Sequence, residues 1–223
     1  MSEAKRNECT APPLCWPSGR FRCIVADPPW EHKGTGACRG RKPISVPYPT
    51  MTTEDIKGLP VGDMAEPDAH LWLWTDNIHL PHGFDVMAAW GFKYLAPIHW
   101  IKPSGAGMWF VHRTQTMLFG YRGKCRFPLA RYKPNLFTSG LPKRHSEKPE
   151  EAFTLIESVS PGPRLELFAR RPRAGWTVWG NEVEANISIR EIEEQANSEL
   201  DRSRPPNAGG EVSKAQQGRK AGE

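Results

Sequence analysis

The chain has 223 residues, of which 30 are lysine or arginine and 25 are aspartate or glutamate, so its formal net charge is +5 and its pI is about 9.0. This length suffices for one α/β domain, and no apolar run approaches the roughly 18 residues of a transmembrane helix. No basic segment followed by an apolar one opens the sequence, so no secretory signal is predicted and a cytoplasmic location is expected. The basic excess favours a polyanionic partner.

The cysteine and histidine patterns predict no metal site. The five cysteines form no C-x-x-C pair, so reduced thiols are expected. His79 and His82 are three residues apart, but Pro81 lies between them and no carboxylate pair accompanies them.

Composition divides the chain into three predicted parts. Residues 1–20 are rich in proline and polar side chains, which is typical of an irregular lead-in. Residues 21–185 carry the alternating strands and helices of a folded domain. Residues 186–223 predict a polar helix followed by a disordered tail, because proline, glycine, glutamine, lysine and serine dominate beyond Arg202.

The first predicted element is a short buried strand over residues 22–26, which ends at the tetrapeptide Asp27-Pro28-Pro29-Trp30. Two prolines forbid both further ladder donation and helix, so the strand must stop there. Ligands of open α/β sheets lie off such carboxyl ends. Asp27 and the Pro28 carbonyl offer two acceptors to an exocyclic amine, and Trp30 offers a flat face to its ring. The alternative is an ordinary turn, with Asp27 as its cap and Trp30 in the core.

A glycine-rich basic loop over residues 31–47 follows the tetrapeptide. Its G-x-G-x-x-x-G spacing does not match the dinucleotide-binding fingerprint, and its positive surface predicts contact with a phosphate backbone. A solvated loop is the alternative. A short helix capped by Thr52 or Thr53 is then expected to end at Gly58.

The middle of the chain predicts strands over residues 70–75, 94–101 and 116–121, with a helix over residues 80–90 between the first two. We expect Phe84, Met87 and Ala88 to form the apolar face of this helix. Residues 105–110 predict a flexible bend. The strand, helix, strand rhythm indicates a mostly parallel sheet with crossovers.

The most basic part of the chain, residues 122–148, predicts a long exposed loop, since prolines interrupt it. Basic side chains interleaved with aromatic ones suit a single-stranded or flipped nucleotide. Lys143, Arg144 and His145 are the candidate contacts, and a merely solvated loop is the alternative.

The last predicted elements lie after this loop. Pro149 is expected at the first position of a helix with Phe153, Ile156 and Val159 on one face. Strands over residues 165–168 and 176–179 follow.

Several short motifs occur in a fixed order along the chain. After the tetrapeptide come Pro47-Tyr48-Pro49-Thr50-Met51, Leu73-Trp74, Trp100-Ile101-Lys102, His145-Ser146-Glu147-Lys148-Pro149-Glu150, Glu166-Leu167-Phe168-Ala169-Arg170 and Gly180-Asn181-Glu182. The set resembles the MT-A70-like adenine N6-methyltransferases.

This resemblance implies an α/β, Rossmann-like methyltransferase with a mostly parallel sheet and a permuted motif order, in which the tetrapeptide precedes the donor-binding elements. It implies methyl transfer from S-adenosyl-L-methionine to the N6 amine of adenine. DNA is the favoured substrate, because the chain is compact and lacks the zinc finger of RNA-modifying relatives. RNA adenosine, cytosine N4 and a catalytically silent nucleic-acid-binding subunit stay open as alternatives. A homodimer or a partner subunit also stays open.

The resemblance further implies roles for individual residues. The catalytic group is Asp27, Pro28, Pro29 and Trp30. The donor-binding group is Asp27, Lys148, Glu166, Arg170, Asn181 and Glu182, with Lys148 on the donor carboxylate. The nucleic-acid-binding group is Trp30, Tyr48, Trp74, Lys143, Arg144 and His145. Gln115 stands where relatives often have an acid.

Overall fold

The computed structural model describes residues 16–31, 49–107, 109–124, 126–127, 132–141, 147–180 and 183, all within one compact unit. Their strands are Phe21–Ala26 (β1), Ala65–Thr75 (β2), Lys93–Ala106 (β3), His112–Arg122 (β4), Leu136–Thr138 (β5), Arg164–Leu167 (β6) and Thr177–Trp179 (β7). Their α-helices are Thr53–Lys57 (α1), Leu80–Ala89 (α2) and Glu150–Val159 (α3), and a 3-10 turn covers Pro60–Gly62.

The strands form one sheet in the order β5-β3-β4-β2-β1-β6-β7. The pairs β1–β2, β1–β6, β6–β7 and β3–β5 are parallel, whereas β4 runs antiparallel to both of its neighbours, β2 and β3. The predicted α/β, Rossmann-like fold with a mostly parallel sheet is therefore confirmed. The carboxyl ends of β1, β2, β3 and β6 share one edge of the sheet, which we call the carboxyl edge.

Strand β1 is central and apolar on both faces, as expected of a strand covered on both sides. Ile24 and Ala26 belong to one core cluster, and Cys23 and Val25 belong to the other. Because β1 is clamped between two parallel neighbours, the residue that follows Ala26 has a fixed position at the carboxyl edge.

Helices cover the two faces. Helix α3 packs on the cluster that contains Val25, and its predicted apolar face of Phe153, Ile156 and Val159 is confirmed as buried. Helix α1 lies on the other cluster, begins at a Thr52 capping box and ends at Gly58, as predicted.

The predicted face of α2 was wrong in part. Met87 is buried, but Phe84 and Ala88 are exposed, and Gly83 and Val86 are buried instead. A Cβ on Gly83 would lie 2.7 Å from Thr75 Cγ2, so this glycine lets the helix approach the sheet and thereby rotates the contact face.

Three further boundaries differ from the sequence predictions. The region of residues 122–148 is not all loop, because β5 pairs with residues 99–101 of β3 and covers part of its edge. The bend expected at residue 105 begins later, since β3 runs to Ala106. Pro149 is the N-cap of α3 rather than its first residue.

Some expectations lie outside the described residues. These are the lead-in before residue 16, the basic loop over residues 31–47 beyond residue 31, and the polar helix and tail after residue 183, so that loop and the three-part division stay predictions. No helix within the described residues is long and apolar enough to cross a membrane.

Candidate active site

The tetrapeptide is fixed by backbone hydrogen bonds where β1 ends. Trp30 N donates to the Pro28 carbonyl at 2.9 Å, and Met51 N donates to the Pro29 carbonyl at 2.8 Å. Glu31 N returns a bond to the Met51 carbonyl at 3.1 Å. The segment before α1, which includes Met51, therefore lies directly against the tetrapeptide.

The two tryptophans predicted to contact nucleic acid are both buried. Trp30 is 6 % exposed, donates Nε1–H to the Trp74 carbonyl at 3.1 Å and stacks on His79 with ring centroids 5.2 Å apart. Trp74 is 0 % exposed, and the Lys148 ammonium lies 5.2 Å from its ring centroid. Because other protein atoms cover both indole rings, we interpret the two tryptophans as packing beneath the site and supporting it. We do not expect them to stack on a base.

Asp27 and Lys148 form an ion pair although 121 residues separate them in the chain. The Asp27 side chain is 24 % exposed and the Lys148 side chain 9 %, so the pair lies at the border of the core. Lys148 Nζ donates to Asp27 Oδ2. A carboxylate has about four acceptor sites, so Asp27 retains capacity for a further donor.

Glu166 lies on β6 beside Val25 of β1. Burial, with a further contribution from the Asp27 charge, raises the pKa of Glu166 to about 7, although Arg173 and Lys148 oppose this shift. Arg173 Nε lies 3.6 Å from Glu166 Oε2, and both atoms are buried without a hydrogen-bond partner among the described residues. Both atoms thus have hydrogen-bonding capacity for a ligand.

An open pocket adjoins these charges. It is lined by Val25, Asp27, Trp74, Glu147, Lys148, Phe153, Glu166, Leu167, Phe168, Arg170, Arg171 and Arg173. Phe168 adopts a φ of +64°, a conformation that costs a non-glycine residue on the order of 1 kcal/mol and that often marks functional sites. This turn directs residues 170–173 along the pocket wall.

The polar groups of the pocket fit the expected donor. S-adenosyl-L-methionine carries a carboxylate, which suits Lys148 and Arg170, and ribose hydroxyls, which suit an acceptor such as Glu166. Its sulfonium is positive, which suits the side of the pocket that holds Asp27. The unpartnered Oε2 atom of Glu166 is the observation that most directly indicates a hydroxyl donor there.

Six of the residues with predicted roles lie outside the described residues, and their roles stay predictions. These are Tyr48, Lys143, Arg144, His145, Asn181 and Glu182. The described ones, Asp27, Pro28, Pro29, Trp30, Lys148, Glu166, Arg170 and Trp74, meet around the carboxyl edge.

Three residues of this region had no role in the sequence predictions. Arg173 faces Glu166 and stacks on Phe153, with 3.4 Å between its guanidinium carbon and the ring centroid. Burial and the Lys148 charge lower the pKa of Lys102, whereas Asp27 raises it, so Lys102 belongs to the same electrostatic environment. His79 contacts Asp76 and the Glu31 carbonyl. The three arginines Arg170, Arg171 and Arg173 could have been noticed together, since they follow the carboxyl end of a predicted strand.

Comparisons with known proteins agree with this geometry. The family model described as MT-A70 matches residues 21–182. A probable N(6)-adenosine-methyltransferase MT-A70-like protein of Oryza sativa subsp. japonica is 28 % identical over 211 residues, which cover 85 % of this chain and 28 % of the relative.

Two animal relatives give similar values. The N(6)-adenosine-methyltransferase catalytic subunit METTL3 of Homo sapiens is 26 % identical over 186 residues, covering 74 % of this chain and 29 % of the relative. The N(6)-adenine-specific methyltransferase METTL4 of Mus musculus is 29 % identical over 184 residues, covering 73 % of this chain and 37 % of the relative. The matched part of the chain thus covers between 28 % and 37 % of the length of these three relatives.

Proposed function

This chain belongs to the MT-A70 family, whose members use S-adenosyl-L-methionine as methyl donor, and on that premise we propose that it methylates the N6 amine of adenine in nucleic acid, with DNA as the first candidate. The observation that carries this proposal is the Asp27 carboxylate, which lies at the end of a central strand and is paired with Lys148 beside an open pocket.

Asp27 and Pro28 would hold the amine. One N–H donates to the free acceptor site of Asp27 and the other to the Pro28 carbonyl, which already accepts from Trp30 N but has a second lone pair. These two bonds draw the nitrogen lone pair out of conjugation with the ring. The nitrogen becomes nucleophilic without a strong base, so positioning and electrostatics supply the rate.

Lys148 has two tasks in this proposal. An ammonium has three donors, so Lys148 can donate to Asp27 and also bind the donor carboxylate. Glu166 would accept from the ribose hydroxyls, and Arg173 would hold Glu166 in place. When bound, the donor would supply an electrophilic methyl group: a nitrogen–carbon bond would form, the sulfur–carbon bond would break with its electron pair left on the sulfur, and the methylated nitrogen would release one proton to water.

The polyanionic character of the substrate is supported by charge. Between Asp85 and Glu147 the sequence holds ten lysines and arginines and no aspartate or glutamate. Such a run attracts phosphates. RNA is the second candidate, because two of the relatives described above are named adenosine-methyltransferases. Cytoplasmic location and a homodimer or partner subunit stay predictions.

The test is product identification. The protein is incubated with labelled S-adenosyl-L-methionine and with matched pools of unmodified DNA and RNA, and the digested nucleosides are separated by mass spectrometry. N6-methyladenine in the DNA pool is the expected result, and heat-inactivated protein is the control. Label confined to the RNA pool would transfer the proposal to RNA, and label in cytosine would contradict the assigned ring. Absence of label from both pools despite donor binding would contradict the substrate class.

A further inference from the structure

The hairpin of β3 and β4 extends well past the rest of the sheet at the carboxyl edge. Ala26 pairs with Leu73, Leu73 with Leu118 and Leu118 with Pro97, so Asp27 lies about level with residue 98 of β3. Strand β3 continues to Ala106, with a register shift against β4 between Ile101 and Ala106. Along β4 the extension runs from Met117, the partner of Ile98, to His112, the partner of Ala106, which is five residues or about 17 Å at strand geometry. Within the described residues, β2 pairs with β4 only as far as Thr116, and β5 pairs with β3 only as far as Ile101.

We call the two-stranded extension, residues 102–107 and 109–115, the arm. Its strands are linked by a hydrogen bond from Arg113 Nε to the Lys102 carbonyl at 3.1 Å. Asn77, just past β2, contacts His112 Nδ1 at 2.7 Å and so ties the arm to the carboxyl edge. A Cβ on Gly105 would lie 2.2 Å from the His112 carbonyl oxygen, so the close approach of the strands requires glycine there.

The tip of the arm exposes its apolar side chains. Trp109 is 94 % exposed, Phe110 78 % and Val111 63 %. Large aromatic side chains left in water at the end of an ordered ribbon indicate a binding surface rather than a fold requirement. Together these three side chains offer roughly 500 Å², less than the roughly 800 Å² per partner of a stable protein interface.

Charge and position favour nucleic acid as the occupant. The arm lies within the stretch between Asp85 and Glu147 that has no acidic residue, and Lys102 and Arg113 provide cations along it. It projects from the same edge that holds Asp27. Aromatic side chains beside cations are the usual means of binding unpaired bases.

We propose that the arm binds the unpaired strand that flanks the target adenine, with Trp109 and Phe110 stacking on its bases and Arg113 contacting a phosphate. This inference rests on the proposed function for the identity of the target, and it adds a contact at a defined distance. A stacked strand advances about 3.4 Å per nucleotide, so the contact lies roughly five nucleotides from the methylated base.

The test compares two single-stranded probes, each prepared as DNA and as RNA. One has 31 nucleotides, with a central adenine and 15 degenerate positions on each side, and the other has 7 nucleotides with three positions on each side. Three proteins are compared: wild type, the double variant Trp109→Ala/Phe110→Ala, and Leu95→Ala. Leu95 is the matched control because it is 48 % exposed at the opposite end of β3.

The double variant should bind the 31-nucleotide probe about tenfold more weakly than wild type, since stacking is lost, and its KM for methylation should rise in parallel. All three proteins should bind the 7-nucleotide probe with the same affinity and methylate it with the same KM. The slope of the logarithm of the binding constant against the logarithm of the salt concentration should stay unchanged in the double variant. Arg113→Ala should reduce the magnitude of this slope by about one.

The outcomes separate the two proposals. If wild type methylates the long probe and the double variant binds it equally well, the arm proposal is wrong and the proposed function stands. If wild type binds the long probe through Trp109 and Phe110 but methylates neither DNA nor RNA, the proposed function fails and the arm proposal stands. Absence of any binding overturns the arm proposal. A smaller mass of the double variant in sedimentation would instead identify the tip as an interface between two copies, which also overturns it.

Discussion

Two polar clusters lie at opposite ends of β1 and α3. The Asp27 cluster, at the carboxyl edge, comprises Asp27, Lys148, Glu166 and Arg173. The Ser160 cluster, at the other end, comprises Cys23, His70, Trp72 and Ser160. Both clusters include buried titratable groups, but the first contains the Asp27–Lys148 ion pair and the second is held by hydrogen bonds to Ser160.

The Ser160 cluster is neutral and its hydrogen bonds are satisfied. Trp72 Nε1 donates to Ser160 Oγ at 2.9 Å, so the Ser160 hydroxyl proton is available to His70 Nδ1, also at 2.9 Å. Burial raises the pKa of Cys23 to about 12, and burial with the Arg22 charge lowers the pKa of His70 to about 4. Neither group is charged near neutral pH, and Trp72 Nε1, His70 Nδ1 and Ser160 Oγ all have hydrogen-bond partners within the cluster.

The Asp27 cluster differs in both respects, since it contains an ion pair and buried polar atoms that lack a hydrogen-bond partner among the described residues. Its carboxylates and cations are held partly out of water, which costs stability unless each charge is paired. Glu166 Oε2 nevertheless lacks a hydrogen bond within the described part of the chain, and the pKa of Glu166 lies about 7. We therefore expect the Ser160 cluster to stabilise the fold, and we propose that the Asp27 cluster serves binding and chemistry.

The largest stability effect is expected at Ser160. Ser160→Ala leaves Trp72 Nε1 and His70 Nδ1 buried without a partner, which should lower the free energy of unfolding by about 3 kcal/mol. Ser158→Ala is the matched control, because Ser158 is half-buried in the last turn of α3 and, among the described residues, donates to the Leu155 carbonyl of the same helix, so its change should stay within about 0.5 kcal/mol. Urea denaturation measures both. Equal losses in the two variants would contradict a special role for the Ser160 cluster.

Lys148→Met should affect binding of the methyl donor. Loss of a charge-assisted bond should weaken binding of S-adenosyl-L-methionine by about 30-fold, measured by calorimetry. Lys57→Met is the control, because Lys57 pairs only with the exposed Glu54 on α1 and should leave donor affinity unchanged. Wild-type donor affinity in the Lys148 variant would remove this residue from the donor site.

Glu166 should give the smallest and most specific effect, a dependence of donor affinity on pH. Ribose hydroxyls donate to the carboxylate rather than to the acid, so affinity should rise by about tenfold between pH 6 and pH 8 as a group with a pKa of about 7 ionises. Glu166→Gln should abolish this rise. A pH profile that is identical in the variant would contradict the assigned role.

The same shift fixes the sign of a stability effect. The folded protein holds the Glu166 proton up to about pH 7, whereas the unfolded chain releases it near pH 4.5. The folded state therefore binds more protons in this interval, so the contribution of Glu166 to the free energy of unfolding should fall as pH rises from 4.5 to 7. Glu166→Gln should remove that decline, which denaturation at pH 5 and pH 8 can measure.

The sequence predicted the position of Asp27 well, because two prolines force β1 to end there and strand ends form sites in α/β sheets. The sequence did not predict the pairing of the candidate residues, since Asp27 and Lys148 meet only through the tertiary fold. The burial of Trp30 and Trp74 could not be predicted either, because periodicity does not distinguish an indole that supports a site from one that faces it. Phe84 was wrongly assigned to the buried face of α2, because the close approach of α2 to the sheet at Gly83 depends on tertiary packing and is not visible in the sequence.

The central claim is that Asp27 activates the acceptor amine, and single-turnover methyl transfer by Asp27→Ala tests it most directly. The experiment uses saturating donor, with circular dichroism and melting temperature to establish an intact fold, and Asp85→Ala as an exposed control on α2. If Asp27 activates the amine, Asp27→Ala should lower the rate of methyl transfer by at least about 100-fold and retain donor binding, and Asp85→Ala should leave the rate unchanged. A rate within tenfold of wild type would contradict the account.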